Sequence, residues 1–161
     1  LTAIYNFKMR LIILCLILTL TLSAVIQLSK QVNRKRLYRI KSQNNHCLDE
    51  HGGGAVTAPL CNGGDYQKWW ARDAGDGYIT FQSYRSRNYL DSNGAGGVYT
   101  LPGNGGWFQQ WIILYQELTV LRNRATGRYL YGGFYSDNVQ TLATDANSYS
   151  FEDITPEFDC P

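Results

Sequence analysis

The sequence contains one short motif twice, and this motif decides the fold. Residues 62–70 read NGGDYQKWW, and residues 104–112 read NGGWFQQWI. Both copies follow the pattern Asn-Gly-Gly-x-aromatic-Gln-x-Trp, and the second begins 42 positions after the first. The repetition extends upstream without a gap, because HCLDEHGGGAVTAPLC (46–61) aligns with NYLDSNGAGGVYTLPG (88–103). An internal repeat of this length indicates a supersecondary unit that buries its apolar face only by packing against its copies.

A third unit at residues 118–154 keeps part of the pattern. VQTL (139–142) aligns with VYTL of the second unit, but Tyr131 stands where the first two units have an aspartate. The Asn-Gly-Gly becomes DAN (145–147), the Gln-x-Trp is lost, and we expect Phe151 to fill the place of the tryptophan. The third unit is therefore predicted to complete the fold without keeping a binding site.

Strand and turn signals predict an all-β domain. YITFQS (78–83) and LTVLRN (118–123) alternate apolar and polar residues, as half-buried strands do. Pairs such as Asn-Gly and Gly-Gly supply turns between them, and no helical period follows residue 37. A propeller of similar repeats needs at least four blades, whereas only three units fit. The prediction is a β-trefoil with repeats at 37–76, 77–116 and 117–158: a six-stranded barrel capped by three hairpins.

The first part of the chain reads as a leader. An uncharged apolar run, residues 11–28, follows Lys8 and Arg10 and ends among small polar residues. This pattern predicts a signal peptide over residues 1–30, with an uncleaved membrane anchor as the alternative. Residues 31–36 contain Arg34-Lys35-Arg36 and form a basic linker before the domain at 37–158. We therefore expect a secreted, extracellular protein that does not insert into a membrane once the signal is removed.

Charge argues against a nucleic-acid partner. The chain has 15 lysines and arginines and 13 aspartates and glutamates. Six of the basic residues and none of the acidic ones lie in residues 1–36, so residues 37–161 carry nine positive and 13 negative side chains. Phosphate binding needs a clustered basic surface, which this mildly acidic domain does not predict.

The repeats resemble a known lectin family. The Gln-x-Trp copies at 67–69 and 109–111, each with Leu-Asp upstream at 48–49 and 90–91, resemble the ricin B-type (R-type) lectin domain. The amino-acid sequence of the second unit is also similar to the trefoil repeats of mosquitocidal-toxin and pierisin-like proteins. The resemblance covers residues 37–158 and implies a non-catalytic lectin for glycans or glycoconjugates, without cofactor. Galactose or N-acetylgalactosamine termini are the ligands it implies.

The resemblance places the main sugar site in the middle repeat. A sugar presents hydroxyls in fixed directions and one apolar face, so its site needs a carboxylate, amides and an aromatic ring. Asp91 is the expected carboxylate and Tyr99 the expected ring. The expected amides are Asn104 and Gln109, with Asn93 adding a contact. The alternative for Asn104 and Gln109 is that they only tie loops together.

The first repeat carries a weaker version of the same set. It keeps three of the expected sugar-binding side chains: Asp49, Asn62 and Gln67. Thr57 and Ala58 occupy the aromatic region, and His51 is the ring of that loop. His46 and His51 lie five positions apart without a third ligand, so solvated loop histidines are favoured over a metal site.

The cysteines also fit the resemblance to R-type lectins. In the family, the two positions held here by Cys47 and Cys61 are commonly bridged, so the resemblance implies a disulfide between them, which secretion would permit. Cys160 is left over near the end of the chain. It either pairs with another chain to form a dimer or remains a free thiol.

Other function classes have less support. The sequence contains no Gly-x-Ser-x-Gly, P-loop or metal-spaced His/Cys set, so we expect no enzyme. Asp49 and Asp91 occupy equivalent places in different repeats and should lie too far apart for a glycosidase pair. A trefoil that binds protein and a toxin's glycan-binding subunit remain alternatives. An aromatic cluster in the third repeat, Tyr131 with Phe134 and Tyr135, could also bind a ligand by another route.

Overall fold

The computed structural model describes residues 36–115, 118–133 and 137–156, and these belong to the second of two units into which the chain divides, Asn33–Pro161. The strands are β1 (Leu37–Ser42), β2 (Asp49–Glu50), β3 (Val56–Thr57), β4 (Trp69–Gly75), β5 (Tyr78–Ser83), β6 (Tyr89–Ser92), β7 (Val98–Leu101), β8 (Trp111–Tyr115), β9 (Thr119–Asn123), β10 (Tyr129–Gly132), β11 (Val139–Leu142) and β12 (Tyr149–Asp153). Single 3-10 turns lie at Asp65–Gln67 and Trp107–Gln109. The predicted leader (1–30), most of the linker (31–36) and Cys160 lie outside the described residues.

Each repeat contributes four strands with the same roles. The second and third strands form an antiparallel hairpin: β2 with β3, β6 with β7, and β10 with β11. The first and fourth strands belong to one continuous ladder, ordered β9-β8-β5-β4-β1-β12. The architecture is the predicted β-trefoil. No helix among the described residues is long and apolar enough to cross a membrane.

The barrel differs from the prediction at one seam. β12 contacts β9, but no residue pairs join these two strands in the described part of the chain. The corresponding pairing inside the other repeats is also short: Leu37 and Tyr38 pair with β4, and Ile79 alone pairs with β8. In the third repeat β9 and β12 lie close together without even this short ladder.

The three hairpins close into a ring through backbone hydrogen bonds. Thr100 N donates to Gly54 O, Thr141 N to Gly96 O, and Ala58 N to Asp137 O, each over 2.8 Å. Gly54 and Gly96 have φ values of +96° and +98°, and a Cβ on either would press against the carbonyl oxygen of Thr100 or Thr141. The three hairpins, which form the cap of the barrel, are therefore joined in a closed ring, whereas the barrel ladder is open between β9 and β12.

The repeated tryptophans form the centre of the core. Trp69 and Trp111 are fully buried, and each is the first residue of the fourth strand of its repeat. The indole N–H of Trp69 donates to Leu48 O over 2.8 Å, and that of Trp111 donates to Leu90 O over 3.1 Å. Each bond connects residues 21 positions apart and so fastens the start of the fourth strand to the hairpin of the same repeat.

The third repeat fills the tryptophan position with a tyrosine, so the expectation for Phe151 was wrong. Tyr149 is the first residue of β12, is buried, and donates its hydroxyl hydrogen bond to Gly132 O over 3.3 Å. Asn147, two residues earlier, is also buried and accepts a hydrogen bond from Gly132 N over 2.7 Å. Asn-x-Tyr thus performs the packing role of Gln-x-Trp. Phe151 instead stacks on Phe81 with a centroid separation of 6.0 Å.

Candidate functional site

A cavity of about 200 Å³ lies in the middle repeat, beside the β6–β7 hairpin. Its lining combines polar and aromatic residues with one leucine and one glycine: Asp91, Ser92, Asn93, Tyr99, Leu101, Asn104, Gly106 and Phe108. Four of the five side chains that the sequence placed at this site line the cavity together. Gln109, the fifth, lies behind it.

Asp91 lies directly opposite Tyr99 in the register of the hairpin. Burial raises the pKa of Asp91, while hydrogen bonds from the Gln109 side chain and the Ser92 backbone oppose that rise by favouring the charged form. The carboxyl group is therefore held in a partly desolvated place with its orientation set from behind. A carboxylate in this position can accept hydrogen bonds from a ligand's hydroxyls.

Two asparagines shape the loops around Asp91. Asn93 Oδ1 accepts hydrogen bonds from Ala95 N and Gly97 N over 3.0 and 2.9 Å. Asn104 Oδ1 accepts one from Gly106 N over 2.7 Å. None of the hydrogen bonds described for residues 36–115 uses the Nδ2 group of either asparagine. Each side chain therefore fixes a turn with its oxygen and keeps its two amide hydrogens for another acceptor.

Gln109 has the structural role that the sequence left open as an alternative. Its side chain is buried, its Oε1 accepts from Asn104 N over 3.1 Å, and its Nε2 donates to Pro102 O over 3.0 Å. Gln67 repeats this arrangement with Asn62 N at 2.9 Å and Leu60 O at 3.2 Å. In both repeats the glutamine holds the loop that carries the asparagine, and in the middle repeat it also contacts Asp91.

The first repeat reproduces the frame but changes the lining. Asp49 is buried and lies opposite Thr57, the residue that replaces Tyr99. Asn62 Oδ1 accepts from Gly64 N over 2.8 Å, as Asn104 does from Gly106. The carboxylate and the amide are therefore placed as in the middle repeat, while the ring on the hairpin strand is missing.

An aromatic position was overlooked in the sequence. Phe108 lines the middle-repeat cavity and is 46% exposed, and Tyr66 holds the equivalent position of the first repeat with 39% exposure. Single exposed rings are common on protein surfaces, but these two share one position of the repeated motif. The signal was present in the repeated motif, since both copies place an aromatic residue immediately before the buried glutamine.

The third repeat lacks the carboxylate, as expected. Tyr131 takes the place of Asp91 on β10, opposite Gln140. Phe134 and Tyr135, the other members of the expected aromatic cluster, lie outside the described residues. No group of three His, Cys, Asp or Glu side chains in the described ranges could hold a metal ion. His46 instead hydrogen-bonds Ala58 O through Nδ1 over 2.6 Å.

The implied disulfide is confirmed. Cys47 and Cys61 are bonded to each other and close a segment with a sequence separation of 14. The segment contains the β2–β3 hairpin, so the bond holds the first-repeat hairpin against the loop that leads to Asn62. The second repeat has Tyr89 and Gly103 at these positions, and the ring of Tyr89 packs where a Cβ on Gly103 would lie.

Solved structures share the fold at low sequence identity. The designed threefold-symmetric protein ThreeFoil is 24% identical, with a TM-score of 0.66, 73% of this chain covered and 99% of that one. A lectin of Polyporus squamosus, solved with the epitope Neu5Acα2-6Galβ1-4GlcNAc, is 16% identical, with a TM-score of 0.65 and coverages of 77% and 51%. A mosquitocidal holotoxin is 16% identical, with a TM-score of 0.69, and the match covers 77% of this chain and 18% of the toxin.

Sequence comparison gives the family directly. A search of curated proteins found no match. The family model described as "Ricin-type beta-trefoil lectin domain-like" matches residues 27–111, more than half of the chain. That match includes the two complete copies of the motif and all the side chains of the middle-repeat cavity. The chain belongs to the ricin-type β-trefoil lectin-like family, whose domains are associated with carbohydrate binding in general.

Proposed function

We propose that the protein is a secreted, non-catalytic lectin whose main site is the middle-repeat cavity. The observation that carries the proposal is the convergence of one carboxylate, two amides and two rings on a single cavity of about 200 Å³. These groups are Asp91, Asn93, Asn104, Tyr99 and Phe108. A carboxylate with amide donors beside aromatic faces is the set of groups that a sugar ring requires.

Each group has a distinct role in the proposed complex. The Asp91 carboxylate accepts hydrogen bonds from two neighbouring sugar hydroxyls. The Nδ2 groups of Asn93 and Asn104 donate to sugar oxygens, and Tyr99 or Phe108 packs against the C–H face of the ring. A single shallow site of this kind binds with Kd on the order of 1 mM. Useful avidity then comes from multivalent glycans or from a second binding site.

Galactose and N-acetylgalactosamine are the proposed sugars. The resemblance to R-type lectins supports them, and the ligand of the Polyporus squamosus lectin contains a galactose. The proposal is thus a glycan with a terminal or penultimate galactose-type residue in the middle repeat, with the first repeat as a weaker site because Thr57 replaces the ring of Tyr99.

Two features support secretion and the absence of catalysis. The Cys47–Cys61 disulfide is typical of proteins from oxidising compartments, and the predicted leader at 1–30 fits the same route. Asp49 and Asp91 occupy equivalent positions in different repeats and line separate hairpins, whereas a hydrolase needs two carboxylates that face one glycosidic bond. We therefore propose a binding protein that leaves its glycan unchanged.

A glycan array with the oxidised chain tests the proposal. The wild type is compared with Asp91→Asn, which removes the charge but keeps the side-chain shape, and with the matched first-repeat variant Asp49→Asn. We expect Asp91→Asn to abolish most binding and Asp49→Asn to retain most of it. Binding to galactose-terminated glycans would support the proposed sugar.

The same preparation separates the alternatives. A folded wild type that binds no glycan would overturn the lectin proposal and favour a trefoil that binds a protein partner. Recovery of a second, catalytic chain with the protein from its source would identify it as the glycan-binding subunit of a toxin. Release of reducing sugar from a bound glycan would contradict the non-catalytic assignment.

A further inference from the structure

A second cavity, of about 290 Å³, shares no lining residue with the middle-repeat cavity. We call it the basic aromatic pocket. Arg39 of β1 and Lys68, immediately before β4, form its charged wall. Trp70 of β4 and Tyr84, immediately after β5, form its aromatic wall, and Leu37 adds an apolar surface. The lining thus combines strands of the first repeat with Tyr84 of the second and with Ile154 and Pro156 of the third, and it includes neither Asp49 nor Asp91.

The polar side chains of this pocket supply mainly hydrogen-bond donors. Arginine, lysine and the indole of tryptophan donate and do not accept. Trp70 Nε1 and Arg39 Nε are buried and have no acceptor among the residues that the structure describes. An unsatisfied buried donor is costly, so such a pair favours a ligand rich in acceptor oxygens, reached by a small shift of either side chain.

The charge of the pocket favours an anion. Arg39 Nη1 lies 3.3 Å from Glu152, and Lys68 Nζ lies 2.6 Å from Asp65, but neither acid lines the pocket. A guanidinium has five N–H donors and an ammonium has three, so one ion pair leaves donors for a ligand in each case. Arg72, whose guanidinium carbon lies 5.8 Å from the centroid of the Trp70 ring, does not line the pocket.

The rings favour a sugar as the carrier of that anion. The Trp70 and Tyr84 rings are 6.5 Å apart and inclined by 32°, which offers two apolar faces beside the charged wall. Lys68 Nζ lies 5.5 Å from the Tyr84 centroid, so a charged group and a C–H face can be held side by side. The volume is near the lower limit for ligand cavities and accommodates one sugar ring with its substituents.

We propose that the basic aromatic pocket binds a carboxylate-bearing sugar residue, such as a uronic acid or a sialic acid within a glycan. The planar guanidinium of Arg39 matches a carboxylate in a way that a neutral hydroxymethyl group does not. The protein would then bind an acidic sugar at this pocket and a neutral sugar at the Asp91 cavity. The acidic site does not depend on the proposed function of the middle repeat.

Two-dimensional NMR of the ¹⁵N-labelled full chain tests this site. The indole N–H signal of Trp70 is assigned by its loss in Trp70→Phe. The probes are methyl β-glucuronide, the methyl α-glycoside of N-acetylneuraminic acid, methyl β-glucoside and acetate. We expect at least one of the two acidic sugars to shift the Trp70 signal with a Kd on the order of 1 mM. The glucoside and acetate, which lack either the charge or the ring, should leave it unchanged.

Variants identify the groups responsible. Arg39→Gln and Lys68→Gln are each expected to weaken binding of the acidic sugar by roughly tenfold or more, the scale of a lost charge-assisted hydrogen bond. Arg72→Gln is the matched control, because Arg72 contacts the same indole from outside the pocket and hydrogen-bonds Gln82 over 3.0 Å. It should bind normally, as should Asp91→Asn, and the remaining NMR signals show that each variant is folded.

Three results would overturn the acidic-sugar site. The first is an unchanged Trp70 signal with both acidic sugars. The second is an equal response to the glucoside or to acetate, which would indicate ring stacking alone or an adventitious ion only. The third is unaltered affinity in Arg39→Gln and Lys68→Gln. The middle-repeat proposal is tested separately by the binding of neutral glycans. Asp91→Asn should lose that binding, whereas Arg39→Gln and Lys68→Gln should keep it.

Discussion

At the scale of single residues, the middle-repeat cavity depends on how Asp91 is held. Asp91 is buried and lines the cavity with Asn93 and Tyr99, and its carboxyl group accepts a hydrogen bond from the Gln109 side chain. Burial makes the charged form costly, while the hydrogen bond from Gln109 makes it less so. This balance keeps a carboxylate oriented toward the cavity, and it also makes the residue sensitive to pH.

Asp91 is expected to make the stability of the domain depend on pH. Its pKa is raised above the ordinary value of 3.8 by burial. Its protonated form therefore stabilises the fold fully below that ordinary value, and the contribution is lost as pH rises through the folded-state pKa. Asp91→Asn stays neutral at every pH. Its free energy of unfolding, relative to that of the wild type, should therefore be higher at about pH 7 than at about pH 3. Urea denaturation at both pH values measures this, and a difference independent of pH would contradict it.

Gln109 is expected to affect both stability and binding. Gln109→Ala removes the acceptor of Asn104 N and the donor to Pro102 O from a buried position. We expect the free energy of unfolding to fall by roughly 2–4 kcal/mol, because two backbone groups lose their partners. Glycan affinity should fall as well, since Asn104 is no longer fixed. Gln140→Ala, at an exposed site, serves as the control in the same denaturation series, and an equal loss there would refute the prediction.

At the scale of elements, the hairpins are joined to one another by side chains as well as by the backbone ring. Glu50 of β2 is fully buried, and its two oxygens accept hydrogen bonds from Ser83 Oγ over 2.7 Å and Thr100 Oγ1 over 3.1 Å. Ser92 holds the equivalent position of the middle repeat. Ser92 Oγ and Thr141 Oγ1 are both buried without a partner among the described residues. The side chain of Ser92 is shorter than that of Glu50, so the middle repeat lacks the hydrogen bonds by which Glu50 joins Ser83 and Thr100.

Substitutions at these two equivalent positions should have very different effects. Glu50→Ala leaves the Ser83 and Thr100 hydroxyls buried without their acceptor, and we expect a loss of roughly 2–4 kcal/mol in unfolding free energy. Ser92→Ala removes a hydroxyl that has no partner and should cost less than about 1 kcal/mol. Thermal or urea denaturation of both variants measures the difference. Similar losses at the two sites would show that Glu50 does not join the repeats as described.

At the scale of the whole molecule, the fold closes by different means on its two sides. The hairpin cap is closed by three equivalent backbone hydrogen bonds, whereas the ladder is open between β9 and β12. The first repeat also has a covalent constraint, the Cys47–Cys61 bond, which the second repeat lacks. The three repeats are therefore equivalent in architecture but not in the interactions that stabilise them.

Reduction of the disulfide is expected to lower the stability of the whole domain. Closing a loop of this length restricts the unfolded chain and contributes about 3 kcal/mol in the loop-entropy description. Adding a reductant, or making the double variant Cys47→Ser/Cys61→Ser, should lower the urea midpoint by a corresponding amount. A Cys160→Ser variant separates this effect from pairing between chains. An unchanged midpoint after complete reduction would contradict the prediction.

Local pattern determined much of this protein by itself. The two copies of Asn-Gly-Gly-x-aromatic-Gln-x-Trp, with the third unit recognised by VQTL (139–142), predicted three units and hence the trefoil, because units of this size bury their apolar faces only by packing on one another. The resemblance to R-type lectins placed Asp91, Asn93, Tyr99 and Asn104, which line one cavity. The fold prediction depends on side-chain alternation and turn chemistry, which are local properties and can be read along the chain.

Packing between distant residues decided the rest. Tyr149 rather than Phe151 fills the third tryptophan position, because the start of β12 is set by its pairing with β1 and not by residue size. Gln109 lies behind the cavity and Phe108 beside it, since the 3-10 turn directs adjacent residues to opposite sides. The basic aromatic pocket combines residues from β1, β4 and the end of β5, which become neighbours only when the barrel forms. Contacts of this kind depend on distances through space, and for that reason only the tertiary structure determines them.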